Sequence, residues 1–329
     1  MRLILHEPAL RRVRPALESF ASQLQLVVVD REGAISCDGE ALDTDSAQPE
    51  AGWASNDGFR GGGAGRALFV SLLKSRRLGW VQTGAAGLDD PVWAQLADKG
   101  AVLTTGHGQA ISIAEYVLAN VLAHYQRIAE RRSEQQARRW TRLPFREIAG
   151  KVWLVVGFGA IGQAVAERAK AFGAHIVAVR RSGAAHPAAD RVASLSELAE
   201  LLPHADVVVL AAPLNAATRG LADSAFFAAT KPGSLLVNVG RGALIDEAAL
   251  LAALAKGVPE YAVLDVFQTE PLARDSPFWD HPRVTVSAHA SAFGDGQAAR
   301  NDAIFLENLR RRLTGAALLY AADPRDLVR

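Results

Sequence analysis

From Lys151 onward the chain alternates short apolar runs with segments of helical length and composition. Six such runs follow one another: Val152–Val156, Ile176–Val179, Val207–Leu210, Leu235–Val239, Ala262–Leu264 and Val284–Val286. Strands buried on both faces read as continuous apolar runs, and their alternation with helices is typical of a parallel sheet covered on both sides. The pattern therefore predicts an α/β fold for this part of the chain.

Three glycines stand directly after the first apolar run, in the order Gly157, Gly159 and Gly162, before an alanine-rich helical segment. In a strand–turn–helix context the first permits the tight turn, the second lets backbone approach a pyrophosphate, and the third packs helix on sheet. The free N–H groups of the first helical turn, which includes Ala160 and Ile161, would then face the phosphates of a dinucleotide. A tight turn without a ligand is the alternative interpretation.

The choice of dinucleotide is made where the second strand of such a fold ends, because an acidic residue there accepts hydrogen bonds from the ribose hydroxyls of NAD. This chain has Arg180, Arg181 and Ser182 there, with no carboxylate to repel a 2′-phosphate. These donors predict NADP as the cofactor, with NAD still possible. Arginines that are merely solvated surface residues are the alternative interpretation.

Helix boundaries are also marked in the sequence. Ser194 with Glu197 and Ser112 with Glu115 have the spacing of a capping box. The apolar stripe from Ser112 to Ile128 predicts one long helix that leads into the nucleotide-type domain. The first hundred residues are expected to form a separate, less regular α/β unit, with strands at Leu3–Leu5, Leu26–Val29, Trp80–Gln82 and Val102–Leu103.

Two further segments outside the central α/β region have a local interpretation. The glycines 61, 62, 63 and 65 are expected to form a loop, because the cluster lacks the Gly-Lys-Ser/Thr ending of a phosphate-binding loop. The segment Asn301–Leu313 is helical in pattern and could pack on the first unit.

Three chemically capable side chains follow the later strands at their carboxyl ends, where parallel sheets place their ligands. They are Arg241, in the segment Asn238–Gly242, Glu270, in Leu264–Leu272, and His289, in Ser287–Ala290. Taken singly, each has an ordinary explanation: a surface arginine, a loop acid and a core histidine. Their combination with the glycine turn is what indicates a catalytic site.

Together these segments closely resemble the D-isomer-specific 2-hydroxyacid dehydrogenase family, and the resemblance includes glyoxylate/hydroxypyruvate reductases. It extends from about Trp80 to Phe293 and is dense from Lys151 onward. The resemblance implies a Rossmann-type dinucleotide-binding domain inserted into a flavodoxin-like substrate domain. On that basis residues 1–104 and 291–329 are expected to bind substrate, and residues 105–290 the dinucleotide.

The resemblance also implies roles for individual residues. Arg241 would hold a 2-oxo acid and stabilise the developing alkoxide, His289 would exchange a proton with its oxygen, and Glu270 would orient the imidazole and favour its protonated form. Asp265 would orient the nicotinamide carboxamide. The backbone N–H groups of Ala86 and Gly87, in the segment Thr83–Asp89, would bind the substrate carboxylate. The remaining cofactor contacts would include Ser112 and Pro213.

Two positions depart from the family pattern or stand outside it. Ala288 occupies the place of a usual proline before the histidine, so that loop is expected to be less rigid. His107 could reach the active-site cleft, although an ordinary loop histidine explains it as well. The eight histidines show no ligand spacing that would indicate a metal.

Composition excludes several other classes of protein. With 36 basic and 35 acidic residues the net charge is +1, which leaves no electrostatic footprint for nucleic acid or an anionic membrane. Cys37 is the only cysteine, and neither a signal peptide nor a membrane-spanning run is recognisable, so a cytoplasmic protein is expected. The family resemblance implies a homodimer that pairs through the nucleotide domain.

Two alternative functions stay open at this point. A phosphite-oxidising relative would use the same three residues on an inorganic anion. A dinucleotide-sensing binding protein, like the C-terminal binding protein co-repressors, would keep the fold and recruit partners instead. The side chain of the substrate is not readable from the sequence, and Trp53, Asn56 and Phe59 are candidate pocket-wall residues.

Overall fold

The computed structural model describes residues 1–59, 63–324 and 327, and the side chain of Phe59 is not described. The chain forms two compact units, one made of Met1–Gln109 with Asp295–Arg329 and the other of Ala110–Gly294. The functional division of the chain expected from the sequence stays a prediction. The glycines 61 and 62 of the predicted loop lie outside the described residues.

The described residues contain two seven-stranded sheets and the helices that cover them. The strands are β1 Arg2–His6, β2 Gln25–Val29, β3 Ile35–Cys37, β4 Glu40–Leu42, β5 Ala51–Ala54, β6 Trp80–Thr83, β7 Val102–Thr104, β8 Val152–Val156, β9 His175–Val179, β10 Arg191–Ala193, β11 Val207–Leu210, β12 Leu235–Asn238, β13 Tyr261–Leu264 and β14 Val284–Val286. The α-helices are α1 Glu7–Leu17, α2 Ala64–Lys74, α3 Pro91–Asp98, α4 Ala110–Tyr125, α5 Ile128–Gln136, α6 Ala160–Ala171, α7 Leu198–Leu201, α8 Ser224–Ala229, α9 Glu247–Ala255 and α10 Gln297–Thr314. Short 3-10 helices occupy Glu18–Gln23, Asn56–Phe59, Leu195–Glu197, Leu202–His204 and Gly242–Leu244.

The first sheet has the strand order β4-β3-β2-β1-β5-β6-β7. Its five strands β2, β1, β5, β6 and β7 run parallel in the order of the flavodoxin-like fold, and an antiparallel hairpin, β3–β4, extends one edge. The strand β5 was not predicted. Its sequence, Ala-Gly-Trp-Ala, is too short to carry a period, and pairing with β1 and β6 decides its conformation.

A stack of three aromatic rings fills the core of the first unit. Phe305, on the C-terminal helix α10, lies parallel to both Trp53 and Trp80, with ring centroids 5.1 and 5.9 Å away. Trp53 is only 1% exposed, so the prediction that it could form part of a pocket wall is wrong. The helix α10, predicted at Asn301–Leu313, is longer at its N-terminal end and packs against α1.

The second sheet is parallel throughout, with the order β10-β9-β8-β11-β12-β13-β14. This is the Rossmann order with one further strand at the β14 edge. All six apolar runs predicted to be strands are strands, with ends that differ by no more than one residue. Successive strands are added on one side of β8 up to β10 and on its other side from β11 onward. Ligands of such folds bind at this switch point between β8 and β11.

The capping predictions had different outcomes. The box of Ser194 and Glu197 is present, with the Ser194 N–H donating to Glu197 Oε2 over 2.7 Å. The box at Ser112 is wrong, because α4 already begins at Ala110 and Ser112 lies within its first turn.

The long helix predicted from Ser112 to Ile128 is present as α4, but it ends at Tyr125. Arg127 adopts a left-handed conformation, with φ 55°, and separates α4 from α5. Arg131 supports the break, because its Nε donates to the Gln126 carbonyl over 2.7 Å and satisfies an acceptor that the helix end leaves open. In the described part of the chain, no helix is both long and apolar enough to cross a membrane.

Candidate active site

Two of the three glycines in the turn after β8 leave no space for a side chain. Gly157 has φ 95°, and a Cβ there would lie 2.3 Å from the Ala212 backbone nitrogen. A Cβ on Gly162 would lie 2.1 Å from the Gly157 carbonyl oxygen. These two glycines therefore bring the turn against the segment after β11 and the helix α6 against the strand, as the sequence predicts.

The middle glycine faces open space. Apart from Gly159 and its two chain neighbours, no heavy atom of the described residues lies within 4 Å of the position that a Cβ on Gly159 would occupy, although this residue caps the N-terminus of α6. The first helical bond runs from the Gln163 N–H to the Gly159 carbonyl, so the N–H groups of Ala160 and Ile161 lie in the open first turn. The turn has the space, the N–H donors and the helix polarity that a pyrophosphate requires.

The turn after β9 lies beside this glycine turn. The Gly157 N–H donates to the Val179 carbonyl over 3.0 Å, and Arg180 is the next residue. Arg180 is half-buried, whereas Arg181 and Ser182 are exposed. These three residues therefore begin a turn that lies next to the glycine turn.

The segment after β11 completes this end of the sheet. A Cβ on Gly157 would contact Ala211 and Ala212, and the exposed Pro213 follows them directly. The Thr218 hydroxyl donates to the Pro213 carbonyl over 2.7 Å and closes the loop. Contact of Pro213 with the cofactor stays a prediction.

The turn that carries Arg241 is held by a buried amide at the end of β12. Asn238 Nδ2 donates to the Arg241 carbonyl over 3.0 Å, and Asn238 Oδ1 accepts from the Gly240 N–H over 3.1 Å. The sequence contains a signal for this role, because a fully buried asparagine at the end of an apolar run requires partners. A Cβ on Gly242 would lie 1.8 Å from the Phe267 carbonyl carbon, so this turn packs against the loop of Glu270.

His289 and Glu270 form a hydrogen-bonded pair, with 2.7 Å between His289 Nδ1 and Glu270 Oε2. The other carboxylate oxygen, Oε1, accepts from the Phe267 N–H over 3.0 Å, which fixes the carboxylate from both sides. The His289 side chain is 48% exposed, and no described residue hydrogen-bonds its Nε2. The imidazole therefore has one nitrogen anchored and one available to a reactant.

Asp265 directly follows β13 and is buried against the loop that carries His289. It is 1% exposed, and its carboxylate accepts hydrogen bonds from Ser287, Ala290 and Ser291. The structure thus shows it holding the loop that carries His289. Orientation of a nicotinamide carboxamide by Asp265 stays a prediction.

Ser112 lies on α4 beside the end of the second unit. A Cβ on Gly294 would lie 2.4 Å from the Ser112 hydroxyl oxygen. Ser112 is 9% exposed, and its contact with a cofactor stays a prediction.

The predicted substrate-carboxylate loop belongs to the first unit and follows β6. The Ala85 N–H donates to Thr83 Oγ1 over 3.0 Å, whereas no described group accepts from the N–H of Ala86 or Gly87. A Cβ on Gly84 would lie 2.6 Å from Asn56 Oδ1, so Asn56 packs against the start of the loop. The loop therefore presents two adjacent N–H donors, as an anion-binding backbone does.

His107 packs against another ring of the first unit. Its ring lies 3.8 Å from that of Tyr320 between centroids, and burial lowers its pKa. These contacts favour the ordinary loop histidine over a catalytic one. Among the described residues, no group of three or more histidine, cysteine or acidic side chains could hold a metal ion.

Comparison with known families gives this geometry a context. A family model described as the NAD binding domain of D-isomer specific 2-hydroxyacid dehydrogenases matches residues 118–291, which is more than half of the chain. The chain belongs to the D-isomer specific 2-hydroxyacid dehydrogenase family. The matched residues include the glycine turn, Arg241, Glu270 and His289.

Other members of the family resemble the chain to different extents. D-3-phosphoglycerate dehydrogenase of Mycobacterium leprae is 37% identical over 247 residues, which are 74% of this chain and 47% of that protein. The chain thus spans about half the length of the first curated relatives that it matches. Glyoxylate/hydroxypyruvate reductase B of Klebsiella pneumoniae is 33% identical over 265 residues, 78% of this chain and 81% of that protein.

A solved family structure covers nearly the whole chain. The D-isomer specific 2-hydroxyacid dehydrogenase of Xanthobacter autotrophicus, crystallised with NADPH and MES, has a TM-score of 0.77 and 26% identity over 98% of both chains. Its likeness confirms the predicted fold class, with a Rossmann NAD-binding domain and a second parallel-rich sheet.

Proposed function

We propose that this chain is an oxidoreductase that transfers hydride between NADP(H) and a small 2-oxo acid or D-2-hydroxy acid of the glyoxylate or hydroxypyruvate type. The observation that carries the proposal is the His289–Glu270 pair, 2.7 Å apart, in the same compact unit as the glycine turn. Family membership supports it, as does a relative named glyoxylate/hydroxypyruvate reductase B.

Each of the three residues has one part in the reduction. Arg241 binds the substrate carboxylate, polarises the ketone and stabilises the negative charge that develops on its oxygen. His289 donates a proton from Nε2 to that oxygen and accepts it again in oxidation. Glu270 holds the imidazole in place through the hydrogen bond between its Oε2 and Nδ1. When bound, the nicotinamide supplies the hydride that adds to the carbonyl carbon.

Several other residues are assigned to binding in this proposal. The N–H groups of Ala86 and Gly87 bind the substrate carboxylate, which agrees with their lack of a described acceptor. Ser112, Pro213 and Asp265 contact the cofactor, whose pyrophosphate lies on the glycine turn. The assembly is a cytoplasmic homodimer, without nucleic acid or membrane as a partner.

The preference for NADP rests on the turn after β9. Arg180, Arg181 and Ser182 offer charge-assisted hydrogen bonds to a 2′-phosphate, each worth about 1.5–3 kcal/mol when well formed. One such contact corresponds to roughly a tenfold to hundredfold preference, since 1.4 kcal/mol is a factor of ten. The NADPH complex of the Xanthobacter relative supports this choice.

The first experiment is a panel of glyoxylate, hydroxypyruvate and aromatic 2-oxo acids, each assayed with NADPH and with NADH. We expect a higher kcat/KM with NADPH, carried mainly by KM and weakened by added salt. Oxidation of D-3-phosphoglycerate is measured in parallel, because the first relatives carry that name. Reduction of the dinucleotide by phosphite would identify the phosphite-oxidising alternative, and dinucleotide binding without any turnover would favour the binding-protein alternative.

The cofactor assignment has its own variant. Arg180→Asp places a carboxylate where it accepts from the ribose hydroxyls of NADH and repels a 2′-phosphate. The order of kcat/KM for the two cofactors should then reverse. A wild-type preference for NADH, or an Arg180→Asp enzyme that still prefers NADPH, would contradict the assignment of this turn but not the dehydrogenase proposal.

A further inference from the structure

The Asp265 carboxylate is surrounded by neutral donors from one short segment. Its Oδ1 accepts from the Ser287 hydroxyl over 2.6 Å and from the Ala290 N–H over 2.9 Å. Its Oδ2 accepts from the Ser291 N–H over 3.1 Å and also from the Ser291 hydroxyl. A carboxylate that is 1% exposed needs hydrogen-bond donors in place of water, and residues 287–291 supply them.

A tyrosine extends this network to the first helix of the second unit. The Tyr116 hydroxyl, on α4, lies 2.6 Å from Ser287 Oγ. Ser287 gives its only hydroxyl proton to the carboxylate, so Tyr116 is the donor in this bond. Burial, and to a lesser degree the charge of Asp265, raises the pKa of Tyr116 despite the bond with Ser287, which keeps the phenol protonated at neutral pH. The relay therefore runs in one direction, from Tyr116 through Ser287 to Asp265.

The same network determines the backbone on which His289 stands. His289 has φ 50°, a left-handed conformation that is unfavourable for a residue with a side chain. Its N–H donates to the Asp265 carbonyl over 2.8 Å, so Asp265 binds three consecutive N–H groups, those of His289, Ala290 and Ser291. A strained residue persists when its surroundings determine it in this way. Ala288, exposed and without a proline ring, contributes no such constraint.

We propose that Tyr116, Ser287 and Ser291 are positioning residues for His289, acting through Asp265. The proposal rests on the proposed function, in which His289 transfers the proton. The three hydroxyl groups do not contact the reactants; they order Asp265, which orders the backbone of residues 289–291, and the imidazole is thereby aligned. The turn with Ala288 thus obtains its rigidity from hydrogen bonds to a buried carboxylate.

The decisive variants change a single hydroxyl at position 287. Ser287→Ala removes the donor to Asp265, and the loss of one such bond should lower kcat about tenfold while KM for NADPH stays within about twofold. Ser287→Thr keeps the hydroxyl and should retain kcat within about twofold of the wild type. Tyr116→Phe removes only the outer bond of the relay and should give a smaller loss in the same direction.

A second readout does not depend on turnover. Hydrogen exchange of the Ala290 and Ser291 amides should become about tenfold faster in Ser287→Ala and stay unchanged in Ser287→Thr. The matched control is Ser234→Ala, because Ser234 is a buried serine of the same unit whose hydroxyl has no hydrogen-bond partner among the residues that the structure describes. Both readouts should stay at the wild-type level in this control.

The two readouts separate failure of this inference from failure of the proposed function. A wild-type enzyme that turns over, with Ser287→Ala unchanged in both kcat and amide exchange, would overturn the positioning role. Equal losses in Ser287→Ala and Ser287→Thr would overturn it as well. A wild-type protein without turnover would contradict the proposed function, and amide exchange would still decide whether the hydroxyl groups order the loop.

Discussion

At the scale of single residues, the imidazole of His289 is hydrogen-bonded to one side chain, that of Glu270. Glu270 divides its two oxygens between the imidazole and the Phe267 N–H, so its carboxylate cannot rotate without breaking a bond. In the proposed reaction His289 exchanges the proton, whereas Glu270 only holds the imidazole in place. The two residues should therefore fail in different ways when they are replaced.

The first prediction concerns these two side chains. His289→Ala should lower turnover by about two orders of magnitude or more while cofactor binding persists, because only proton transfer is lost. Glu270→Gln should lower kcat by about tenfold while cofactor binding persists, because the imidazole loses the carboxylate that holds its Nδ1. Titration of the dinucleotide and steady-state kcat measure the two effects. A Glu270→Gln enzyme with the kcat of the wild type would show that Glu270 does not orient this histidine.

The second prediction compares two glycines of the same turn. A methyl group at Gly157 meets the Ala212 backbone at 2.3 Å in a left-handed residue, so Gly157→Ala should lower Tm. A methyl group at Gly159 enters open space and should leave the fold intact, but it would occupy the place that the proposed function gives to the pyrophosphate. Gly159→Ala should therefore keep the wild-type Tm and lose at least about tenfold in dinucleotide affinity. A Gly159→Ala protein that binds the dinucleotide normally would contradict the assignment of this turn to the pyrophosphate.

At the scale of elements, the C-terminal helix α10 completes the core of the first unit. Phe305 lies between Trp53 and Trp80 and is fully buried. The helix comes from the far end of the sequence, so its contribution follows from the fold and not from neighbouring residues. Truncation of a buried aromatic ring leaves a cavity that a stacked environment fills poorly.

The third prediction follows from this packing. Phe305→Ala should lower the free energy of unfolding by about 3–5 kcal/mol. Phe172→Ala is the control, because Phe172 is 51% exposed and its loss should cost about 1 kcal/mol or less. Denaturant titration followed by tryptophan fluorescence measures both variants. Similar losses in the two would show that the stack does not stabilise the unit.

At the scale of the whole molecule, an ordered arm at residues 137–147 exposes apolar side chains. Trp140 is 97% exposed and Phe145 is 50% exposed. Thr141 nevertheless donates to Glu134 over 2.6 Å, and Arg131 donates to the Leu143 carbonyl over 2.9 Å. An arm that is held in place while it presents a tryptophan to solvent is typical of a protein–protein contact.

The fourth prediction is that this arm belongs to the dimer interface. Sedimentation at micromolar concentration should give the mass of a dimer, and Trp140→Glu should shift it toward the monomer. Hydrogen bonds from Arg139 and Thr141 lower the pKa of Glu134 to about 2. The ionised Glu134 stabilises the arm at any pH above the ordinary pKa of a glutamate, and this stabilisation is lost only as the pH falls toward 2. The dimer should therefore persist at about pH 5. A wild-type protein that sediments only as a monomer would contradict the prediction.

Local pattern was sufficient for much of the second unit. The strands β8 and β11 are found where their apolar runs predict them, because residues buried on both faces leave a continuous apolar signature. The glycine turn is likewise readable, since its steric requirement is met by glycine alone.

Patterns that depend on a partner far away in the chain were not readable. The strand β5 has four residues and exists because β1 and β6 pair with it, and Trp53 became a core residue because α10 returns to stack on it. The break at Arg127 is invisible to helical periodicity, because a side chain one turn later satisfies the freed carbonyl.

The candidate site likewise combines features that the sequence determines with features that only the tertiary structure determines. By itself the sequence determined which residue types follow each strand: Arg241 after β12, Glu270 after β13 and His289 after β14. Only the tertiary structure decided their supports, namely that Glu270 meets Nδ1 and that Asp265 holds the histidine loop through two serine hydroxyls. The positions of the strands along the chain follow from local apolar runs, whereas hydrogen-bond partners depend on which loop ends the parallel sheet brings together.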